Sequence, residues 1–290
     1  MEKEIKAVSY IGEPQSNTAM FVSAKAGKLL VNLEPVENCL IFAENGLEVP
    51  SDLLKKHHFK FSDNPQLAYY HFTKKLEQVL DSYNSTRKIN TLANGARLGE
   101  NVKLGIGVQI GTGAFIDHDC IIGDQVFIGS GAIIQKTILA NNVRIGENTV
   151  IGAAGYNLVQ DESGNLQSMP TLGRVEILND TTINSHCVIA AGLAGKTKIG
   201  RSSHIDSFCH IHHDCRIGNN VELASSVSMG GFTTIQDGSF IGIGAKLKNR
   251  VAIGKHAIIG MGSVVLSDIP DNSKAYGVPA KVVDEDPIKK

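Results

Sequence analysis

The chain has 290 residues, a formal net charge of −1 and 42% apolar residues, enough to bury a sizeable core in one or two domains. Its Lys and Arg residues are scattered, which excludes the concentrated basic footprint of nucleic-acid or polybasic membrane binding. No apolar run is long enough to cross a bilayer and the start does not read as a signal peptide, so a cytoplasmic protein is expected.

The first 90 residues read as a small α+β domain. VSYIG, AMFVSA, KLLVNL and CLIFAE look like short strands, and a helix is expected to begin near Asn64 and Pro65, a cap followed by a first-turn proline. Its apolar face would carry Ala68, Tyr69, Phe72, Leu76, Val79 and Leu80. SYNSTRKIN at 82–90 reads as a linker, giving domains of 1–88, 89–270 and a tail of 271–290.

From Leu98 a six-residue period takes over. Leu98, Leu104, Ile110, Ile116, Ile122, Ile128 and Ile134 are in phase; after a one-residue slip come Leu139, Ile145 and Ile151. The series resumes at Ile177, Ile183 and Ile189, then runs unbroken from Ile199 to Val265. Two residues before each of these stands Val, Ala, Ser, Thr or Cys. Residues two apart in extended chain point to one side, so each hexapeptide is a short strand sending a large and a small side chain inward. Three such strands make a triangular coil of about 18 residues, and stacked coils make a parallel β-helix, mainly β in class. The 30 glycines and the absence of Trp fit its many tight turns and thin layers.

Two stretches break the period: residues 153–174, a polar insertion in the β-helix domain, and AAGLAGKT at 190–197, where the aliphatics Ile189 and Ile199 are ten apart. The insertion, with Tyr156 and Asn157, is a candidate binding loop.

HIHHDCRIG at 210–218 concentrates chemistry, and its core repeats as FIDHDCIIG at 115–123. The register places Cys120, Cys187, Cys209 and Cys215 inward as packed thiols, reduced as expected for a chain with five cysteines and no C-x-x-C. It places His210 and His212 on the outer wall and His213 at a turn, as it does His118. No His-x4-His pair is present, yet His210 and His212 share a face, which leaves a metal-dependent hydratase open beside an acyl-transfer site or a purely structural β-helix. One coil after His213 stands Gly231, able to bring a backbone N–H close to a reacting carbonyl; the same step from His118 reaches Lys136.

DNPQLAYYHF, VIGAAGY, MPTLGRVEI, KIGRSSHIDSFCHIHHDCRIG and SMGGFTTI resemble segments of the UDP-3-O-acylglucosamine N-acyltransferases of lipid A synthesis, within the hexapeptide-repeat acyltransferases. The H-D-C step is similar to that of bacterial nucleotide-sugar N-acetyltransferases. The resemblance implies a left-handed coil, a homotrimer, and His213 as general base with Gly231 as oxyanion donor and Asp214 orienting the imidazole. It implies a nucleotide-linked amino sugar as acceptor, with Tyr156, Asn157, His210, His212 and His186 as substrate contacts, in lipopolysaccharide or surface-glycan synthesis. GMGSVV and YGVPAKVV resemble acetyl-CoA-dependent hexapeptide enzymes, so acetyl-CoA or another acyl-CoA is the expected cosubstrate, with no metal. Acyl carrier protein thioesters and sugar O-acetylation are the alternatives, and the tyrosine of the family's uridine-contacting motif is missing from FVSAKAG.

Overall fold

The computed structural model describes residues 5–284, which divide into two compact units. The first holds the amino-terminal residues to Thr86 with Gly155–Gly173 and Leu193–Gly195; the second holds Arg87–Ala154, Arg174–Gly192 and Lys196 onward.

In the first unit, parallel strands Ala7–Val8, Thr18–Val22, Leu40–Glu44 and His58–Ser62 pair in chain order. Alternation along LIFA divides the core: Leu40 and Phe42 pack with Tyr69 and Tyr70, whereas Ile41 and Ala43 pack with Met20, Leu30 and Leu33 on the opposite face. The expected helix spans Pro65–Asn84, and Asn64 Oδ1 accepts from Leu67 N–H at 3.0 Å as its cap. Leu67, Tyr69, Tyr70 and Thr73 are its buried side chains, while Val79 and Leu80, expected on the apolar face, are exposed.

KLLVNL is not a strand. It lies in a 3₁₀ helix, Ala24–Leu33, with Leu30 and Leu33 buried and Val31 exposed. A spacing of three between buried residues is the period of that helix, and a run of six apolar-rich residues is too short to separate it from a strand. The insertion also differs from a plain loop off the prism: Leu158–Gln160 and Leu166–Ser168 form an antiparallel hairpin, and Val159 and Met169 join the cluster of Tyr69 and Tyr70.

The second unit is a left-handed parallel β-helix whose three faces hold eight, ten and ten strands among the described residues. The register is the one the period dictates: Ile211 pairs with Met229, Ile217 with Ile235 and Leu223 with Ile241. The one-residue slip and both breaks leave the aliphatics paired, Ile122 with Leu139, Ile151 with Ile189 and Ile177 with Ile199, and the register shifts only locally between Ile151 and Ala153. The aliphatic column and the small column are buried together from Ala114 to Val265. Leu104 and Ile106, in the first coil, are exposed. The four inward cysteines are buried free thiols, and burial pushes Cys120 up to about 11.

Each turn needs one residue in the left-handed region, supplied by Asn, Asp, Gly and a few others, such as Asp119 at φ 60°, Asp214 at φ 59° and Phe232 at φ 61°. Part of the segment assigned to a tail continues the prism: Lys274–Tyr276 pairs in parallel with Ile258–Ile259 and antiparallel with Lys281–Asp284. The tail's last six residues lie outside the described residues.

Candidate active site

His213 and Asp214 form the turn after strand His210–Ile211, and both are buried. Adjacent residues on a strand diverge, so an interaction between these two would not follow from strand geometry. They are not on a strand. The left-handed conformation of Asp214 folds its carboxylate back, and His213 Nδ1 lies 3.0 Å from Asp214 Oδ2. A carboxylate partner assigns the proton to Nδ1, which leaves the lone pair on Nε2. The backbone N–H of Asp214 donates to Thr197 Oγ1 at 2.8 Å.

Gly231 lies against the imidazole, as the coil spacing requires. A Cβ placed on it would sit 2.6 Å from His213 Cε1 and 2.7 Å from Nε2. Among the described residues the Gly231 N–H has no hydrogen-bond acceptor. Phe232 meets the imidazole edge-on with centroids 5.3 Å apart, and the Arg250 guanidinium lies 4.4 Å from the Phe232 centroid. Thr197, Phe232 and Arg250 escaped sequence reading: the first looks like one more small inward residue, and the others become neighbours only through coil stacking.

The FIDHDCIIG copy is built differently. His118 Nδ1 accepts the Glu100 N–H at 2.7 Å, so the backbone occupies the lone pair and the proton belongs on Nε2. Asp119 turns away to Arg87, whose buried side chain donates to both carboxylate oxygens and to the Glu100 carbonyl at 3.1 Å. The Arg87 hydrogen bonds hold the Asp119 carboxyl below the usual carboxylate range. The two copies therefore share a spelling and a turn but have opposite imidazole tautomers.

The other expected site residues divide by location. His210 and His212 stack with centroids 4.2 Å apart, and His212 lies 6.4 Å from His213. His186 stacks on Phe208 at 5.3 Å, along a different prism edge from His213. Tyr156, exposed, and Asn157 belong to the first unit, where the Asn157 carbonyl accepts from Met169 N–H at 2.9 Å. Among the described residues no three His, Cys, Asp or Glu side chains converge as a metal-binding group, and no helix is long and apolar enough to cross a membrane.

The stacked pair gives the protein a signed pH dependence. Desolvation pulls both imidazoles below the ordinary histidine value, and for His212 the neighbouring His210 and His213 add to it. A lowered folded-state value means that the unfolded chain binds the proton more readily, so this contribution is complete above about pH 6.5 and is lost as pH falls. The melting temperature should fall between about pH 7.5 and about pH 5.5. Substituting His210→Asn and His212→Asn together should flatten part of that fall in a thermal-shift titration.

Comparison with known proteins bears on the family and the fold. The model for the bacterial transferase hexapeptide (six repeats) matches residues 196–231 and 232–267, and that for the GlmU-like C-terminal hexapeptide matches 73–169. The chain is 32% identical over 150 residues to a UDP-3-O-acylglucosamine N-acyltransferase of Caulobacter sp., covering 52% of this chain and 44% of the relative. It is 31% identical over 161 residues to that of Methylorubrum populi, covering 53% and 44%. The matches thus span less than half the length of these curated relatives. Among solved structures, UDP-N-acetylglucosamine acyltransferase from Campylobacter jejuni aligns with TM-score 0.59 and 27% identity over 67% of this chain and 74% of that one. The Francisella novicida UDP-N-acetylglucosamine acyltransferase, at 22% identity and TM-score 0.57 over 65% and 67%, shares the fold. Period, coil register and these likenesses together identify the chain as a hexapeptide-repeat protein of the left-handed β-helix type, resembling the UDP-3-O-acylglucosamine N-acyltransferases.

Proposed function

We propose that the protein is an N-acyltransferase that moves an acyl group from a thioester to the amino group of a nucleotide-linked amino sugar, with His213 as general base. The observation that carries this reading is the pairing of His213 Nδ1 with the Asp214 carboxylate at 3.0 Å, which places the proton on Nδ1 and leaves Nε2, beside Gly231, able to take one. The sequence relatives, both named N-acyltransferases of a UDP-linked acylglucosamine, support the acceptor class.

The sugar amine attacks the thioester carbonyl, and His213 Nε2 takes the ammonium proton as the C–N bond forms. Asp214 stabilises the imidazolium through Nδ1–H, and the unengaged Gly231 N–H donates to the tetrahedral oxyanion. Collapse breaks the C–S bond, and the departing thiolate recovers the proton from His213. None of these steps requires a metal.

His210 and His212 are the proposed acceptor contacts in the second unit, and Tyr156 and Asn157 are proposed by themselves as substrate contacts of the first; His186, stacked on Phe208 along another edge, would serve the acceptor of His210 and His212 only in a homotrimer, the assembly the resemblance implies. The proposed donor is a CoA thioester, most simply acetyl-CoA, on the likeness of GMGSVV and YGVPAKVV to acetyl-CoA-dependent hexapeptide enzymes, and the proposed compartment is the cytoplasm.

Incubation with a panel of UDP-, dTDP- and GDP-amino sugars, offered acetyl-CoA or acyl carrier protein thioesters, tests both parts. Thiol release with acetyl-CoA and an N-acylated sugar is the expected result. Turnover confined to carrier-protein thioesters would overturn the CoA assignment, and no N-acylation with either donor would overturn the enzyme reading.

A further inference from the structure

The corner one coil above His213 holds a residue ill-suited to its backbone. Asn101, Asp119 and Asp214 take the left-handed conformation on this prism edge with short polar side chains that tolerate it, whereas Phe232, at φ 61°, is bulky and an outlier there. Its N–H donates to the His213 carbonyl at 3.0 Å, and its ring meets the imidazole at 88° with centroids 5.3 Å apart. The Arg250 guanidinium, from the next corner on the same edge, lies over the Phe232 ring at 4.4 Å. Among the described residues Phe208 is the other phenylalanine with a positive φ, and its ring also lies against a histidine of the coil below, His186, at 5.3 Å. Both phenylalanines thus hold a strained corner where an aromatic ring meets an imidazole, and strain of this kind persists where the surroundings over-determine it.

We propose that Phe232 is a positioning residue for His213, its ring, backed by Arg250, setting the direction in which the imidazole presents Nε2. The hydrogen bond to Asp214 restrains the imidazole at Nδ1, and rotation about that one atom stays soft. A flat aromatic ring at right angles to the imidazole opposes that rotation, because the edge-on arrangement is the favoured one and any swing of the imidazole departs from it. The guanidinium over the Phe232 ring holds the phenylalanine in turn. Nε2 is thereby kept beside Gly231. Phe232 itself neither takes nor gives a proton; it acts through the orientation of His213.

This inference rests on the reading of His213 as general base, so its test includes a readout that needs no substrate. Carbon-13 relaxation dispersion at His213 Cε1 in the full chain, with the signal assigned by its loss in His213→Gln, reports exchange of the ring between orientations on the microsecond-to-millisecond scale. Asparagine suits a left-handed corner, so Phe232→Asn removes the ring while keeping the turn, and Phe232→Tyr keeps both ring and turn. A flat dispersion profile is expected in the unsubstituted protein and in Phe232→Tyr. In Phe232→Asn exchange should appear at Cε1, with a fall in kcat of about 10-fold and KM little changed. A flat profile in Phe232→Asn would overturn the proposal, as would equal disturbance by Tyr and Asn. A rise in KM at unchanged kcat would overturn it too, since it would make Phe232 a substrate contact. Exchange at Cε1 of Phe232→Asn, with no acyl transfer by the unsubstituted protein, would remove the enzymatic reading and leave the positioning role in place.

Discussion

Replacing His213 by Ala should lower turnover by about 10²-fold or more at saturating acceptor, the contribution of a positioned general base. The same change at His118 should leave turnover unaltered. Both residues sit in an H-D-C turn, so the pair separates chemistry from sequence resemblance. His118 has its Nδ1 lone pair occupied by Glu100 N–H, and its aspartate is committed to Arg87. Steady-state acyl-transfer rates of the two variants supply the check, and near-normal activity in His213→Ala would remove the base assignment. The His118 variant should show its effect in stability, because the ring bridges two stacked turns.

The second large effect is expected at Gly231. Its backbone is not in the left-handed region, so alanine meets no conformational penalty there, and the substitution is purely steric. A methyl group 2.6 Å from Cε1 and 2.7 Å from Nε2 is closer than real Cβ contacts come, and the ring must tilt or slide away. Either motion strains the 3.0 Å bond to Asp214 and displaces the lone pair from the reacting nitrogen. Misplacement of a catalytic group by about 1 Å costs up to about 10²-fold, so kcat should fall by one to two powers of ten at most modest cost in melting temperature. A Gly231→Ala protein of full activity would show that the ring does not work in this position.

The prism was legible because a strict period leaves one solution. Large and small inward columns two residues apart specify strand, facing and stacking together, and Ile116 to Val265 are buried as that register requires. The same logic correctly assigned Cys120, Cys187, Cys209 and Cys215 to the core. It failed where information is local and short, as in KLLVNL, whose six residues fit a strand or a 3₁₀ turn equally well until Leu30 and Leu33 find their partners. Within the site, the stacking of Gly231 on His213 followed from the coil length. The Asp214 contact did not, because it depends on a turn conformation rather than on strand alternation. Nor did the Thr197 contact, since nothing in the spelling of a threonine in the inward column says which N–H its hydroxyl will meet.

The contacts that shape the His213 corner lie within one turn or join neighbouring coils, from Thr197 below through His213 and Asp214 to Gly231 and Phe232 above. A solenoid of this kind transmits order only between nearest neighbours, so its stability and its chemistry are local properties of a one-dimensional stack. The open first coil, with Leu104 and Ile106 uncovered, is therefore a free parameter of the architecture. Whole coils can be gained or lost at that end of the stack while the surroundings of His213 stay the same, so the length of the prism and its catalytic step can change independently.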